Sequence, residues 1–527
     1  MKLQPLMAML ALAAMLIACD RGTHADAQAG NATESPVFHY DYFARSLPLE
    51  KRRIVPAYSF PGMPEISAAT ARRLELQQAF FDQDFATLDP AIFEYHRRYV
   101  DKESAKHPIT SFISGLEETK LAGIDSCAAW TEAMPQSYAA HWICGFIWAE
   151  GAYHARSGKY ARDVTPIRFA LMRERFRQSN VLLKKAIMLT PVPIEAMTML
   201  AANHFMLGEH DKAREYVRRA HVLRPDHAAL HDVLLTFASP EWGGSQEKVL
   251  EAMNAAKESG LDEITLLDYH DRHVVRPWKM SNPGAAKAYW TQAIKEKPTR
   301  YRLQQLTLDY ETTKNWRDMV SAADKWIEHF PDDFDAYWRR AYAHEMLGNS
   351  TQALADYRMA AAQGSNLATQ TLIRSHILGA MGLAPKDWNS LDQVCRYGAV
   401  LGLPSAANCI GSAYWEANTV DGPFKQNRAQ ALAWHQLAAR GAYHNSQYDL
   451  GWLLLTGRVP GVESGEAREH GVFWLRRAAE QNHEFAKKKL QENGYAEMEA
   501  ISAEGPDIIE LIEMFGRFLR SVLWVFR

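Results

Sequence analysis

Residues 405–443 read SAANCIGSAYWEANTVDGPFKQNRAQALAWHQLAARGAY, and residues 445–483 read NSQYDLGWLLLTGRVPGVESGEAREHGVFWLRRAAEQNH. The second stretch restates the first. Gly411 returns as Gly451, Trp434 as Trp474 and Ala438-Ala439 as Ala478-Ala479, each 40 positions on. Ala406, Ser446 and Ala486 share that spacing and mark a third start. A fixed period of this size is the mark of stacked helical hairpins. One hairpin cannot bury its own apolar stripe, so each leans on a neighbour at either side. Gly411 and Gly451 are placed to let the first helix of a hairpin touch the second. Trp434 and Trp474 are placed to fill the space between hairpins.

These residues resemble the Sel-one-like repeat, a longer relative of the tetratricopeptide repeat. Ala406, Ile410, Gly411, Tyr414, Ala431, Trp434, Ala438 and Gly441 carry the pattern in the first copy. The second copy is looser, with Gly471 standing where the pattern has an alanine. The resemblance implies an all-α fold, a right-handed superhelical solenoid of helical hairpins. It also implies an interaction adaptor, since many such proteins serve the bacterial envelope.

Working outward, residues 194–227 fit a 34-residue tetratricopeptide frame. Leu200 and Ala201 fall in the first helix, Gly208 at the turn, Ala213 and Ala220 in the second helix, and Pro225 beyond it. Frames 300–333 and 334–367 follow the same rule. Tyr337, Ala341, Gly348, Ala353, Tyr357 and Ala360 are well placed in the later one, whereas Trp326 occupies a small-residue position in the earlier one. Irregular hairpins are expected at 228–260 and 262–297. Ahead of them, periodicity predicts helices near 67–81, 85–103, 109–122, 125–134, 137–157 and 166–189. No segment alternates long enough to be a strand. Residues 66–260 resemble an uncharacterised proteobacterial domain family through Trp130, Pro135, Ser137, Tyr138 and Ala140, then Ala155-Arg156-Ser157-Gly158, then Pro240-Glu241-Trp242-Gly243-Gly244-Ser245. That resemblance implies no activity.

The N-terminus bears on location. Lys2 precedes an apolar run from Leu6 to Ile17, which ends in Leu16-Ile17-Ala18-Cys19. A short apolar segment closing on small residues is an export signal, and it is too short to span a bilayer comfortably. It resembles the bacterial lipobox, which implies cleavage before Cys19 and acyl chains on that residue. The alternatives are an ordinary secretory signal or a membrane anchor. Asp20 matches an inner-membrane retention signal, and the outer membrane stays open. Residues 1–18 are thus read as a signal peptide and 19–65 as a tether rich in small residues. Residues 66–299 and 300–367 are read as tetratricopeptide-like parts, and 368–495 as Sel-one-like repeats. The segment 496–527 is expected to be an amphipathic helix that caps the solenoid, with membrane-surface or partner binding as the other readings.

Four cysteines remain after Cys19, and an exported protein can oxidise them. Cys127 and Cys144 flank the turn at Pro135, and Cys395 and Cys409 flank the turn near Pro404. Antiparallel helices put such residues at similar height, as a bridge requires. Four buried thiols are the other reading.

Hydrophobic residues make up 47% and aromatics 11% of 527, so a large core is available. Lys+Arg of 59 against Asp+Glu of 62 leaves a net charge of −3, which argues against nucleic acid as the main partner. His227 and His231 have metal-ligand spacing but no evident third ligand, and His270-Asp271-Arg272-His273 reads as a solvated helix end. Both histidine groups are expected on the surface. Gly243-Gly244-Ser245 lacks the lysine and preceding strand of a phosphate loop, so Ser245 is read as a helix cap. No nucleophile elbow or dinucleotide fingerprint is present. Neither cofactor, metal nor small-molecule ligand is expected.

Trp338 and Tyr342, with Trp415 and Trp452, occupy first-helix positions that avoid the packed stripe. They are the candidate protein-binding groove, with Arg339, Glu345 and Gln447 as polar neighbours, because tryptophan and tyrosine dominate contact energy at interfaces. Packing between repeats is the competing role. The sequence reading is therefore a non-catalytic, envelope-anchored scaffold facing the periplasm and binding envelope proteins. An immunity-type inhibitor of a periplasm-acting toxin and an enzyme in the 66–300 region are the alternatives.

Overall fold

The computed structural model describes residues 59–103, 109–156, 164–277, 282–383, 388–416, 426–457 and 464–495. The export signal with Cys19, most of the tether and the segment 496–527 lie outside the described residues. Among the described residues there are 23 α-helices and no strand.

Six helices come first: α1 (Ala68–Asp82), α2 (Phe85–Val100), α3 (Thr110–Glu117), α4 (Ile124–Ala133), α5 (Tyr138–Arg156) and α6 (Pro166–Ala186). Hairpins follow in unbroken succession: α7 (Ile194–Met206) with α8 (His210–Leu223), α9 (Ala228–Ala238) with α10 (Gln246–Glu258), and α11 (Glu263–His270) with α12 (Pro283–Glu296). Next come α13 (Arg300–Thr312) with α14 (Trp316–His329), α15 (Phe334–Met346) with α16 (Ser350–Ala362), and α17 (Asn366–Leu378) with α18 (Trp388–Val400). The array ends with α19 (Pro404–Glu416) and α20 (Arg428–Arg440), α21 (His444–Leu455) and α22 (Ser464–Ala479), and the single helix α23 (Glu484–Glu492). Successive helices pack against one another from α4 to α11 and from α12 to α23, which is the helical solenoid the repeat demanded.

Local chemistry explains where helices begin. The Ser67, Thr299, Ser365 and Asn427 side chains each accept a first-turn amide, at Thr70, Arg302, Ala368 and Gln430. Within two hairpins the turn is made by Gly208 and Gly348, at φ 76° and 79°.

The departures from the repeat pattern have physical reasons. A Cβ at Gly471 would lie 2.8 Å from the Leu455 amide and 2.9 Å from the Gly451 carbonyl, so α21 and α22 cross with bare backbone on both sides. An alanine would hold them apart. Trp326 is fully buried, and its Nε1 donates to Asp333 at 3.0 Å. Asp333 is also ion-paired with Arg300, whose guanidinium lies over the indole, 5.7 Å from its centroid. The bulky residue thus carries its own polar anchor. Ala406, Ser446 and Ala486, the three repeat starts, have no exposed surface.

The first block of helices lies against one edge of the solenoid. Five successive turns between hairpins, or the helix ends beside them, each receive at least one contact from it. Thr70 donates to Asp332 (3.0 Å), Arg73 to the Gln363 carbonyl (2.5 Å), and Gln77 to the Leu401 carbonyl (2.6 Å). Arg440 pairs with Asp125 at 2.8 Å, and Arg168 with Glu480 at 2.9 Å. Phe60 is buried edge-on against Tyr397, with ring centroids 5.3 Å apart. The apolar clusters are shared in the same way. Phe60, Leu74 and Ala122 belong to one core with residues 334–438, and Leu450, Phe473 and Trp474 join the core of α1–α11.

Cys127 and Cys144 stand with Cα atoms 5.3 Å apart, and Cys395 and Cys409 6.0 Å apart. Both expected pairs are therefore at disulfide distance, joining α4 to α5 and α18 to α19.

Candidate functional site

The first-helix aromatics divide into two kinds. Trp338 and Tyr342, one turn apart on α15, stack at 5.8 Å between centroids, and Trp316 of α14 meets Tyr342 edge-on at 5.5 Å. All three are half-buried, so a continuous aromatic surface spans two hairpins. Arg339 lies beneath it, buried and paired with Glu311 at 2.5 Å. Glu345 accepts the Tyr357 hydroxyl at 2.6 Å and faces Arg374 at 3.8 Å. Trp415 is half-buried against the large core, with its carbonyl taken by Gln426. The Trp452 ring is roofed by the Lys489 ammonium at 4.3 Å. Gln447 is buried and bonds the Ala439 carbonyl, so it fastens a turn.

A second constellation joins α2 to α5, α7 and the start of α9. Sequence periodicity missed it because its members are polar residues at core positions. The Glu195 carboxylate receives His96 Nδ1 at 2.9 Å and the Tyr138 hydroxyl at 2.7 Å. Burial, and then that carboxylate, push the Tyr138 hydroxyl pKa up. Tyr99 and His227 share a hydrogen bond at 2.7 Å, and Arg224 donates to the Tyr99 carbonyl. His231 Nε2 donates to the Pro225 carbonyl at 2.7 Å. Both histidines, expected at the surface, are buried with 0% and 1% exposure. His227 is the N-cap of α9 and His231 lies on its first turn, where burial draws the imidazole down to about 4. Among the described residues no group of three possible metal ligands converges.

The expected solvated helix end at 270–273 is also corrected. Asp271–Val275 form a π-helical turn, and Asp271 has no exposed surface. Asp271 accepts Arg302 Nε and the Tyr289 hydroxyl, both at 2.6 Å, and Asp232 faces His273 at 3.2 Å. Asp268 is equally enclosed, and burial raises its carboxyl to about 6. A largely apolar pocket of about 480 Å³ opens beside this turn, lined by Gln246, Val274, Val275, Pro277 and Tyr289. Ser245 caps α10 by accepting the Lys248 amide, as its position suggests. Gly244 lies directly on the Ala238 carbonyl.

No family model matches this chain, and no curated protein matches it. Solved structures do. A protective antigen of uropathogenic Escherichia coli displaying an SLR fold is 15% identical, over 74% of this chain and 78% of its own, with a TM-score of 0.33. A Sel1 repeat protein from Oxalobacter formigenes is 18% identical, over 54% of this chain and 99% of its own, at 0.31. Yeast Tom70 is 13% identical, over 87% and 94%, at 0.26. The likeness is one of repeat architecture alone.

Proposed function

We propose that this chain is a non-catalytic, protein-binding repeat scaffold, held at the periplasmic face of a membrane by acyl chains on Cys19. The observation that carries the reading is the half-buried ladder Trp316–Tyr342–Trp338. Its rings are pre-stacked, so a partner covers them without first ordering them, and large rigid aromatics give much contact area for few rotors. The enclosed carboxylates support the same reading. Asp232, Asp268 and Asp271 all have 0% exposure, so substrate does not reach them without opening the core. Lipid attachment restricts the search for partners to a surface and raises their effective concentration.

The test is capture from membranes with a soluble form beginning after Cys19. Trp338→Ala is expected to weaken capture roughly 30-fold, the equivalent of a hot spot of about 2 kcal/mol. Trp452→Ala, under its lysine roof, is expected to change capture less. Unchanged capture by folded Trp338→Ala would reject the aromatic ladder as the binding face. Several partners of moderate affinity fit a scaffold, whereas one very tight partner fits a toxin-neutralising inhibitor.

A further inference from the structure

The outer face of α6 and α8 mixes cations with bare aliphatic side chains. Along α6 and just past its end, Arg173, Arg177, Val181, Lys184 and Met188 recur every three or four positions and are all exposed, so they form one stripe. Ser179, Asn180, Leu183 and Ala186 are buried behind it. On α8, Arg218, Arg219, Val222 and Leu223 are exposed, and Ala213, Val217, Ala220 and His221 are buried. Helix α7 holds the two in register. Asn203 donates to Ser179 Oγ at 2.8 Å and to Asn180 Oδ1 at 2.9 Å, and the next residue, His204, stacks on Tyr216 of α8 at 5.5 Å between centroids. The charges of Lys184 and Lys212 both reach that histidine. Helices α6 and α8 run antiparallel to α7, so Met188 and the pair Val222-Leu223 lie at the same end of it.

That shared end is a patch. Val181, Met188, Val222 and Leu223 are between 39% and 71% exposed, and they are four of the twelve large hydrophobic side chains that stand exposed among the described residues. Ordinary surfaces scatter such residues singly. Pro191 and Pro225, in the turns that follow the two helices, are exposed as well. Cations border them: Lys184, Lys185, Arg218 and Arg219. Among the described residues Lys184, Lys185 and Arg219 enter no ion pair, the Arg219 guanidinium lying over the Tyr216 ring at 5.6 Å, and Arg218 pairs with Glu215. Glu195 is the one carboxylate between positions 175 and 208, and it is buried against His96. Asp226, beyond α8, is taken by Arg224.

We propose that this patch lies on the surface of an anionic lipid bilayer. The headgroup layer attracts Lys184, Lys185, Arg218 and Arg219, and the boundary just beneath it receives Met188, Val222 and Leu223. The mixture fits lipid better than a folded acidic partner. A bilayer boundary accepts flexible lysines and aliphatic side chains in any arrangement, whereas protein interfaces are depleted in lysine and anchored by aromatic rings. The inference rests on the proposed acyl anchor for its setting alone, since a chain tied at Cys19 keeps the patch beside a bilayer. The contact then fixes the orientation of the whole solenoid, and with it the direction in which the aromatic ladder of α14 and α15 points.

The experiment is co-sedimentation of the soluble form beginning after Cys19 with vesicles of phosphatidylglycerol and phosphatidylethanolamine, set against vesicles of phosphatidylcholine alone. Binding to the anionic vesicles is expected, and it should weaken as salt rises. The double change Lys184→Glu with Lys185→Glu is expected to weaken it about tenfold or more. Met188→Ser with Val222→Ser should weaken it about threefold and leave the salt dependence as it was. All four positions face solvent, so the variants keep the wild-type melting temperature. Equal binding to both kinds of vesicle, or none to either, would overturn the proposal. Wild-type binding by the folded lysine variant would do the same and assign the membrane contact to the segment 496–527. A dimer that Met188→Ser dissolves would give the patch to a second copy instead. Whether Cys19 carries acyl chains is read separately, from detergent-phase partition of the exported chain, so either idea can fail without the other.

Discussion

Hairpins α7–α12 and hairpins α19–α22 share one architecture and are joined by different chemistry. The first region is fastened through enclosed polar groups: Glu195 and His227 reach His96 and Tyr99 of α2, Asp232 meets His273, and Asp271 meets Arg302 of α13. In the second, the two helices of a hairpin meet through bare backbone at Gly451 and Gly471, alanines such as Ala438 and Ala478 are fully buried, and the polar links between hairpins are short neutral ones, from Ser446 to His435 and Asn408 and from Gln447 to the Ala439 carbonyl. Close backbone approach tolerates almost no change in volume but needs no exact partner. A buried ion pair tolerates shape change less selectively, yet each member depends wholly on the other. Architecture of this kind therefore does not prescribe how its repeats are fastened.

The comparison breaks most readily at Asp271. Asp271→Ala strips Arg302 and Tyr289 of their shared acceptor and is expected to cost about 3–5 kcal/mol in urea unfolding. The paired change Asp271→Leu with Arg302→Met should recover most of that loss, and failure to recover would mean that the ion pair is not what joins those hairpins. Reduction of the cysteine pairs comes next. With sequence separations of 17 and 14, each bridge is worth about 3 kcal/mol. Thiol titration of the unreduced, unfolded exported chain should find no reactive thiol at these four positions. In the second region, Gly471→Ala pushes a methyl group into the Gly451 carbonyl and is expected to cost about 2 kcal/mol, with no dependence on salt.

The smallest effect, taken per pH unit, is one of protonation, and each region contributes one histidine. Burial holds His231 and His435 to about 4 when folded, against about 6.5 for a free imidazole. Between those values the unfolded chain binds more protons, so stability falls as pH drops from 6.5 toward 4. Asp268 works the other way. It keeps its proton to about 6 when folded, so it favours the folded state on acidification within that window. Two histidines outweigh one carboxyl. His435→Gln should flatten the acid limb by one proton, about 1.4 kcal/mol per pH unit. An unchanged slope would show that His435 titrates normally.

Legibility in the sequence followed the same divide. The glycines, alanines and tryptophans of 405–490 announced the hairpins because small-residue packing leaves a periodic trace. The turns at Gly208 and Gly348 and the cysteine pairs were readable for the same reason, since each is a local geometric demand. The histidines at 227 and 231 and the turn at 270–273 were misjudged, because a buried polar residue looks like a surface one until its partner is known. Those partners, Tyr99 and Arg302, lie 128 and 31 positions from His227 and Asp271. Of the candidate aromatics, Trp338 and Tyr342 come together, and Trp316 joins them unforeseen. Its ring meets theirs from the second helix of the preceding hairpin, a relation that no single repeat frame contains.

The five contacts between the first helices and the successive turns bear on how the molecule is made. Gln77 meets Leu401 across 324 residues, and Asp125 meets Arg440 across 315. In a chain of stacked units each repeat ordinarily needs only its sequence neighbours, so it can consolidate while synthesis proceeds. Here the earliest helices wait for the latest turns, and such distant pairings are slow to form. A polypeptide stopped before the final hairpins would leave Thr70, Arg73 and Gln77 engaged but strand Arg168. Quality control acting on incomplete products would find its handle at that unfinished seam.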